Sequence, residues 1–165
     1  MKVLVISDSH GNLGAIKHLV GFAKAQKLGA VFHCGDFSTP EDVVETLKAG
    51  IPLYAVMGNA DEARYEEIWN TLSRNKNLAF GKNLVTRSAR NSRIYSAPDV
   101  WTGEVGGRKI AIGHQPSRVA EQIASGNFDA VFHGHLHMSA KIEKVGNTLV
   151  INPGALGNTN IPSFA

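Results

Sequence analysis

Cysteine is almost absent from this chain of 165 residues, because Cys34 is the only one. A single cysteine excludes an internal disulfide framework and a zinc site built from several thiolates, and it suits a reducing compartment. Long apolar runs are also absent, since no segment approaches the roughly 20 apolar residues that a membrane span requires. Residues 1–6 are too short for the core of a signal peptide. We therefore expect a cytoplasmic protein without a role at a membrane.

Charge of one sign is not in large excess. The chain has 17 basic and 14 acidic residues, a formal net charge of +3 and a sequence pI near 9.1. Because no long basic run is present, nucleic acid is not an expected partner, and the pI is at most a hint of anionic ligands. The length and the 43% apolar content indicate one compact domain over residues 1–165.

Several enzyme motifs are missing as well. The chain has no Gly-x-Gly-x-x-Gly after a strand, no P-loop and no Gly-x-Ser-x-Gly. These absences argue against dinucleotide binding, P-loop nucleotide chemistry and serine hydrolysis.

Short apolar strands alternate with amphipathic helices in the first half of the chain. The strands are predicted at residues 3–6, from residue 30, and at residues 52–57, and each leads into a polar cluster. This alternation is typical of a parallel sheet, whose ligand sites lie at the carboxyl ends of the strands.

The helices between these strands have recognisable ends. The first is predicted to begin after Asn12 as N-cap and to stop at Gly29, and the second to begin with Thr39 as cap and Pro40 at its first position. A third helix is predicted over residues 62–72. The predicted buried face of the second helix consists of Val43, Val44 and Leu47.

The second half has a different pattern. Residues 100–104 and 108–112 predict a hairpin, and Ser117 is expected to cap a short helix. Further strands are predicted at residues 129–133, 140–144 and 148–151, whereas residues 75–95 give no clear pattern. The chain as a whole predicts one α/β (α+β) domain with a parallel section followed by an antiparallel one.

Polar side chains follow five of the predicted strands, and a glycine lies beside a candidate ligand in each case. Every one of these side chains offers an oxygen or imidazole donor, a set that suits manganese, iron, cobalt or zinc and not a closed structural zinc site. Each short motif alone is weak, but their joint position at strand ends predicts a metal site. The candidate ligands are Asp8, His10, Asp36, Asn59, His114, His135 and His137.

The spacing of these residues favours two ions. Residues i and i+2 leave an extended strand on the same side, so Asp8 and His10 can bind one ion together, whereas His135 and His137 can share an ion or be divided between two. Two ions roughly 3.5 to 4 Å apart usually share a bridging carboxylate. Asp36 is the natural bridge.

The charges of such a centre suit a phosphate ester. Two divalent ions with Asp8 and Asp36 leave roughly two positive charges to be balanced by a bridging hydroxide and an anionic substrate. Paired ions can activate water and hold both the attacking and the leaving oxygens during displacement at phosphorus. The sequence therefore predicts a metal-dependent phosphoesterase.

Three neighbouring residues leave alternatives open. His33 and His133 each precede a ligand motif and could donate hydrogen bonds to ligands or could simply be buried histidines with satisfied partners. Asn12 could reach substrate or only cap its helix.

The order of the five motifs resembles that of the calcineurin-like metallophosphoesterases, and most of all their small YfcE-like phosphodiesterase branch. The motifs are Asp8-x-His10, Gly35-Asp36, Gly58-Asn59-x-Asp61, Gly113-His114 and Gly134-His135-x-His137. The resemblance implies a four-layer αββα sandwich of two mixed β-sheets flanked by helices. It also implies two divalent ions, manganese first and iron, zinc, cobalt or nickel as alternatives. It implies that one ion is held by Asp8, His10, Asp36 and His137, and the other by Asp36, Asn59, His114 and His135.

Three departures from the family pattern affect what the resemblance implies. Ala60 stands where larger relatives have a histidine that is thought to protonate the leaving group, so activity on activated phosphodiesters and little on alkyl monoesters is expected. Gln115-Pro116 follows His114 where relatives commonly have Gly, which predicts a different substrate rim. Residues 161–165 end the chain where relatives usually begin a final strand, so either the chain is truncated or it lacks this strand, which would leave an exposed sheet edge.

The alternative to a phosphodiesterase is a catalytically weak scaffold, because the phosphoesterase-like subunit of retromer resembles the same fold. All seven candidate ligands are present, which favours the enzyme, whereas Ala60 keeps the scaffold open. A nuclease would need a basic approach surface. The resemblance also implies a homo-oligomer.

Overall fold

The computed structural model describes residues 1–73 and 100–165. Over these residues its first sheet is parallel and not mixed, with the strand order β1-β2-β3, and Val3 on β1 lies opposite Ala30 on β2. The strands of this sheet are β1 (Val3–Ile6), β2 (Ala30–His33) and β3 (Leu53–Ala55). The helices of this half are α1 (Leu13–Ala25), α2 (Pro40–Leu47) and α3 (Tyr65–Ser73), the last preceded by a short 3-10 helix, Asn59–Arg64.

The second sheet is mixed, with the order β4-β5-β6-β8-β7. Its three central strands run parallel and its two edge strands antiparallel. The prediction of an antiparallel second half is therefore wrong for the centre of this sheet. A crossover through α4 (Ala120–Ser125) returns the chain in the same direction, and only the outer hairpins reverse it. The strands are β4 (Val100–Val105), β5 (Arg108–Gly113), β6 (Ala130–Phe132), β7 (Lys141–Val145) and β8 (Thr148–Asn152).

Three apolar clusters separate four layers and confirm the αββα sandwich. Leu4 and Ile6 of β1 pack towards α1, α2 and α3, whereas Val5 between them faces the second sheet. This alternation is the two-residue period of a strand that is buried on both sides. The third cluster, between the second sheet and α4, contains Ala111, Val119 and Val131.

Phe32 is the centre of the layer between the two sheets. Its ring stacks on Tyr54 at a centroid distance of 4.9 Å and meets Phe132 of the other sheet edge-on at 5.0 Å. Aromatic rings of this size fill the space between sheets and fix how they pack. The strand ends that carry the polar motifs are therefore attached to a rigid core.

Two predicted features of α1 have different outcomes. Asn12 is the N-cap, since its Oδ1 accepts a hydrogen bond from the Ala15 backbone N–H at 3.1 Å. The stop at Gly29 is wrong, because the helix ends at Ala25 and Lys27 adopts a φ of 52°. A left-handed residue cannot continue the helix, so the chain turns before it reaches the glycine.

Helix α2 begins as predicted, with Thr39 as N-cap and Pro40 at the first position. Its buried face differs from the prediction, because Val43 is fully buried while Val44 is 48% exposed. Neighbouring helical residues point about 100° apart, so a helix that directs Val43 inwards directs Val44 outwards. Asp42 and Thr46 lie on the buried side instead.

The remaining differences concern the ends of elements. The helix predicted from residue 62 starts with 3-10 geometry and becomes α-helical at Tyr65. The cap predicted at Ser117 is wrong, because Gln115 precedes a 3-10 turn, Pro116–Val119, and α4 follows it. The hairpin of β4 and β5 is confirmed, and residues 75–95 lie outside the described part of the chain.

The last residue of the chain lies beside the free edge of β1. Val5 donates a backbone hydrogen bond to Ala165 at 2.6 Å and accepts one from it at 3.1 Å. At this point the side of β1 that faces away from β2 is therefore hydrogen-bonded to Ala165. No helix within residues 1–73 and 100–165 is long and apolar enough to cross a membrane.

Candidate metal centre

The polar residues predicted from the strand ends come together at one edge of the two sheets. β1, β2 and β3 of the first sheet and β5 and β6 of the second end at this place, as the carboxyl ends of parallel strands must. The structure brings together all seven candidate ligands in two adjoining groups. The first group is Asp8, His10, Asp36 and His137, and the second is Asp36, Asn59, His114 and His135.

The loops hold most of these residues in a left-handed backbone conformation. Positive φ is uncommon for residues other than glycine and costs about 1–3 kcal/mol where it occurs. The pairing of Asp8 with His10 therefore does not arise from strand alternation, as the i, i+2 spacing predicted, but from two left-handed residues beyond the end of β1. The values are 53° at Asp8, 44° at His10, 59° at Asp36, 73° at His135 and 39° at His137.

One donor atom from each member of the first group lies within 4.8 Å of the others. The Nε2 atoms of His10 and His137 are 3.1 Å apart. His137 Nε2 is 3.2 Å from Asp8 Oδ1, and His10 Nε2 is 3.7 Å from Asp36 Oδ2. Four donors this close together can bind one ion.

The second group is centred on His114 Nε2. This atom is 3.0 Å from Asn59 Oδ1, 3.3 Å from His135 Nδ1 and 3.4 Å from Asp36 Oδ1. Asp36 therefore directs one carboxylate oxygen into each group. This geometry is what a carboxylate that bridges two ions requires.

The chemistry of the donors fits a cation. His114 Nδ1 lies 2.8 Å from the Cys34 carbonyl oxygen, which can only accept, so the ring proton resides on Nδ1. Nε2 is then a bare lone pair that faces the oxygens of Asn59 and Asp36. In addition, Asp8 Oδ1 is buried without a hydrogen-bond partner among the described residues. Acceptors that face one another without protons need a positive charge between them.

Hydrogen bonds from Ser38 and from backbone N–H groups orient the ligands. His10 Nδ1 lies 3.0 Å from Ser38 Oγ, and Asp8 Oδ2 accepts the His135 backbone N–H at 3.0 Å. Asp36 Oδ1 accepts the Ala60 backbone N–H at 2.8 Å. Such contacts fix the tautomer and the direction of a metal ligand.

Two glycines permit the close approach of these loops. A Cβ at Gly58 would overlap the Asp36 carboxylate, and a Cβ at Gly134 would overlap Ser7 Oγ and lie 2.6 Å from Asp8 Oδ2. The glycines beside the candidate ligands are therefore required here for space.

Asp61 is a functional candidate that the sequence analysis gave no role. It is fully buried and accepts backbone hydrogen bonds from Asp36, Ser38 and Gly58 at 3.0, 2.8 and 2.8 Å. Burial raises the pKa of Asp61 to about 6, against the opposing effect of these hydrogen bonds. The sequence signal for this residue was its position three residues after Gly58. An acidic side chain at that position commonly accepts a hydrogen bond from the backbone N–H at the start of a helix.

The three neighbouring residues have defined positions. His33 is buried, and its pKa is lowered to about 3, mainly by burial and then by His114 and His10, so it is neutral. Burial also lowers the pKa of His133, whose Nδ1 lies 3.2 Å from the Gly134 carbonyl oxygen. Both polar ends of Asn12 are engaged, since Nδ2 donates to the Leu156 carbonyl at 2.7 Å while Oδ1 caps α1.

The fold and the paired donor groups define a class of protein. Residues 1–164 match the calcineurin-like phosphoesterase superfamily domain. The chain belongs to this family, and it is a hydrolase with phosphoesterase function. Members of this family bind divalent metal ions, and the donor groups described above fit such ions.

Individual relatives support the assignment to the small YfcE-like branch. Phosphodiesterase MJ0936 of Methanocaldococcus jannaschii is 28% identical over 157 residues, which cover 93% of this chain and 83% of that protein. The structure of a novel archaeal phosphodiesterase superposes with a TM-score of 0.75 at 27% identity, over 99% of this chain and 91% of that one.

The same fold occurs in proteins of another kind. Vps29 of Entamoeba histolytica, in a structure complexed with Zn²⁺, has a TM-score of 0.61 at 16% identity, over 99% of this chain and 83% of that one. At this identity the likeness concerns the fold alone.

Proposed function

We propose that this protein hydrolyses phosphodiesters with two divalent metal ions held by the seven residues of the candidate centre. The observation that carries the proposal is the meeting of carboxylate, amide and imidazole donor atoms in two groups that share Asp36. When bound, the ions supply an activated water and positive charge for displacement at phosphorus. Phosphodiesterase relatives support the substrate class.

The chain's own residues have separable tasks in this proposal. Asp36 joins the two groups, and its backbone N–H is itself held by Asp61. Ser38 and the Cys34 carbonyl orient the rings of His10 and His114. With Nδ1 of His114 protonated, its Nε2 atom is available to an ion, and the same holds for His10 when Ser38 Oγ accepts from its Nδ1.

The open side of the centre indicates where substrate enters. Asp8, Asp36 and His114 are buried, whereas the side chain of His137 is 34% exposed and Asn59 is exposed. Leu136 is 44% exposed beside it. A phosphodiester would therefore approach from the side of His137, with an apolar side chain at the rim.

The decisive experiment is hydrolysis of bis-p-nitrophenyl phosphate by metal-stripped protein. Manganese is added back, and Asp36→Asn is measured beside the wild type. Turnover that requires manganese and is lost in Asp36→Asn supports the proposal. Parallel additions of iron, zinc, cobalt and nickel rank the metals.

A negative result would also be informative. If two manganese ions bind with defined stoichiometry and no phosphodiester is hydrolysed, the proposal is wrong. The scaffold function would then be preferred, and a protein partner would be sought on the surface around His137.

A further inference from the structure

Asp42 is a buried carboxylate that belongs to neither donor group. It lies at the third position of α2 and is fully buried. Its Oδ2 accepts hydrogen bonds from Ser9 Oγ at 2.6 Å and from the Gly11 backbone N–H at 2.9 Å. Its Oδ1 accepts one from Thr39 Oγ1 at 3.1 Å. Oδ1 thus accepts a hydrogen bond at the start of α2, and Oδ2 accepts two from the loop that follows β1.

Ser9 and Gly11 alternate with two candidate metal ligands on that loop. Asp8 and His10 both have positive φ, at 53° and 44°. A backbone in this region persists only when surrounding contacts hold it there. The two hydrogen bonds to Asp42 fix the residues on either side of His10, and so they act on the conformation that directs its ring.

The hydrogen-bond chain continues to the loop that carries Asp36. Because Ser9 Oγ donates to Asp42, it can accept from His33 Nε2, which lies 3.3 Å away. His33 Nδ1 accepts the Gly35 backbone N–H at 3.2 Å. A continuous series of hydrogen bonds therefore connects Asp42 to the loop of Asp8 and His10 and to the loop of Asp36, two of the three loops that carry the first donor group.

We propose that Asp42 is a positioning residue that holds the Asp8 and His10 loop in its metal-binding conformation through Ser9 and Gly11. This inference rests on the proposed metal centre. Removal of contacts that orient metal ligands commonly weakens metal binding about ten- to a hundredfold. The same range is expected for Asp42→Ala and for Ser9→Ala.

The competing explanation is that Asp42 only completes the helix cap. Thr39→Ala separates the two roles, because it removes the cap and the contact to Oδ1 but leaves Ser9 and Gly11 on Oδ2. Asp42→Asn is the conservative variant, since its amide oxygen can accept from Ser9 and Gly11 while its NH₂ group faces Thr39.

The experiment is titration of the metal-free proteins with Co²⁺, followed by visible absorption and calorimetry, with unfolding in urea measured in parallel. We expect weaker Co²⁺ binding and an altered absorption spectrum in Asp42→Ala and Ser9→Ala. Thr39→Ala should lose stability but keep wild-type affinity and spectrum, and Asp42→Asn should restore both. If Asp42→Ala does not fold, Ser9→Ala decides.

The inference is overturned if Ser9→Ala and Asp42→Ala bind Co²⁺ as tightly as the wild type, or if Thr39→Ala weakens binding equally. In that case a wild type that binds two ions and hydrolyses bis-p-nitrophenyl phosphate leaves the proposed function intact. A wild type that binds no Co²⁺ refutes both.

Discussion

Ala60 lies between Asn59 and Asp61 and contributes to the centre only through its backbone. Its N–H donates to Asp36 Oδ1 at 2.8 Å, and its methyl group cannot donate a proton. Ala60 therefore cannot act as a general acid for an ester whose leaving group must be protonated. In the proposed reaction, Ala60 would therefore limit which ester bonds are cleaved quickly, and it would not change the number of metal ligands.

We predict that activated aryl phosphodiesters are hydrolysed much faster than alkyl phosphate monoesters. Ala60→His should raise the rate on esters with poor leaving groups by about a hundredfold, the lower end of what a positioned general acid contributes. The measurement is kcat/KM over a series of leaving-group pKa values for both proteins. Alkyl monoesters as the better substrates of the wild type would contradict the prediction.

A second prediction at the scale of single residues concerns Gly134. Gly134→Ala should displace Asp8 and weaken manganese binding about tenfold or more, since its Cβ would overlap Ser7 and the Asp8 carboxylate. Gly21→Ala is the matched control, because beyond its chain neighbours and the adjoining backbone of α1 no atom of residues 1–73 and 100–165 lies within 4 Å of its added Cβ, and it should stabilise α1 by about 0.5–1 kcal/mol. Calorimetry and urea unfolding check both. Unchanged manganese affinity in Gly134→Ala would refute the argument.

At the scale of elements, α1 is fixed to the centre from two sides. Asn12 caps the helix and also holds the Leu156 carbonyl, and Gly157 N–H donates to the Asp8 carbonyl at 2.8 Å. The start of α1, the loop after β1 and the segment near Leu156 therefore form one connected unit. A change at Asn12 acts on all three.

We predict that Asn12→Ala lowers the free energy of unfolding by about 1–3 kcal/mol, because both the cap and the contact to Leu156 are lost. Asn12→Ser keeps a capping oxygen and should lose less. Urea midpoints measure the difference, with His18→Ala on the exposed face of α1 as control. A raised KM in Asn12→Ser with unchanged stability would instead indicate that Asn12 binds substrate.

The strands and the polar residues at their ends could be predicted from the sequence, because short runs of apolar residues indicate buried strands. β1 was found at the predicted residues, and the residues after each strand supplied every member of the two donor groups. The stop of α1 was wrong because Lys27, not Gly29, takes the left-handed conformation. The sequence alone does not say which of several residues near a helix end will do so.

The contacts that hold the ligands could not be predicted. Ser9 and Asp42 are 33 positions apart, and Asp36 and Asp61 are 25 apart. No local pattern connects such pairs, since they meet only once β1, β2 and α2 have packed. The left-handed backbone at Asp8 and His10 was also missed, because the i, i+2 spacing was interpreted as an extended strand.

At the scale of the whole molecule, the centre joins the two sheets. Asp8, Asp36 and Asn59 follow strands of the first sheet, whereas His114 and the histidines after β6 follow strands of the second. The apolar layer around Phe32 holds these sheets together from within. Ions at the shared edge would hold them together from outside that layer, so metal binding and stability are coupled.

We predict that manganese stabilises the protein, by about 2.7 kcal/mol per site at a hundred times its Kd. Asp36→Asn should lose most of this effect because Asp36 contributes to both groups. Asp129→Asn, at an exposed ion pair with Arg108, is the control and should keep it. Thermal unfolding with and without manganese measures the effect. Equal melting temperatures in the two conditions would contradict the coupling.

The left-handed backbone at five of the seven candidate ligands has a consequence for selection experiments. In a library selected for thermal stability in the presence of a chelator, the most frequent gains should arise at Asp8, His10, Asp36, His135 and His137. Glycine there relieves the backbone and offers no side-chain donor atom to an ion. Substitutions at these five positions would then raise heat tolerance in the absence of metal and lower catalytic activity. The two properties would evolve in opposite directions at the same positions.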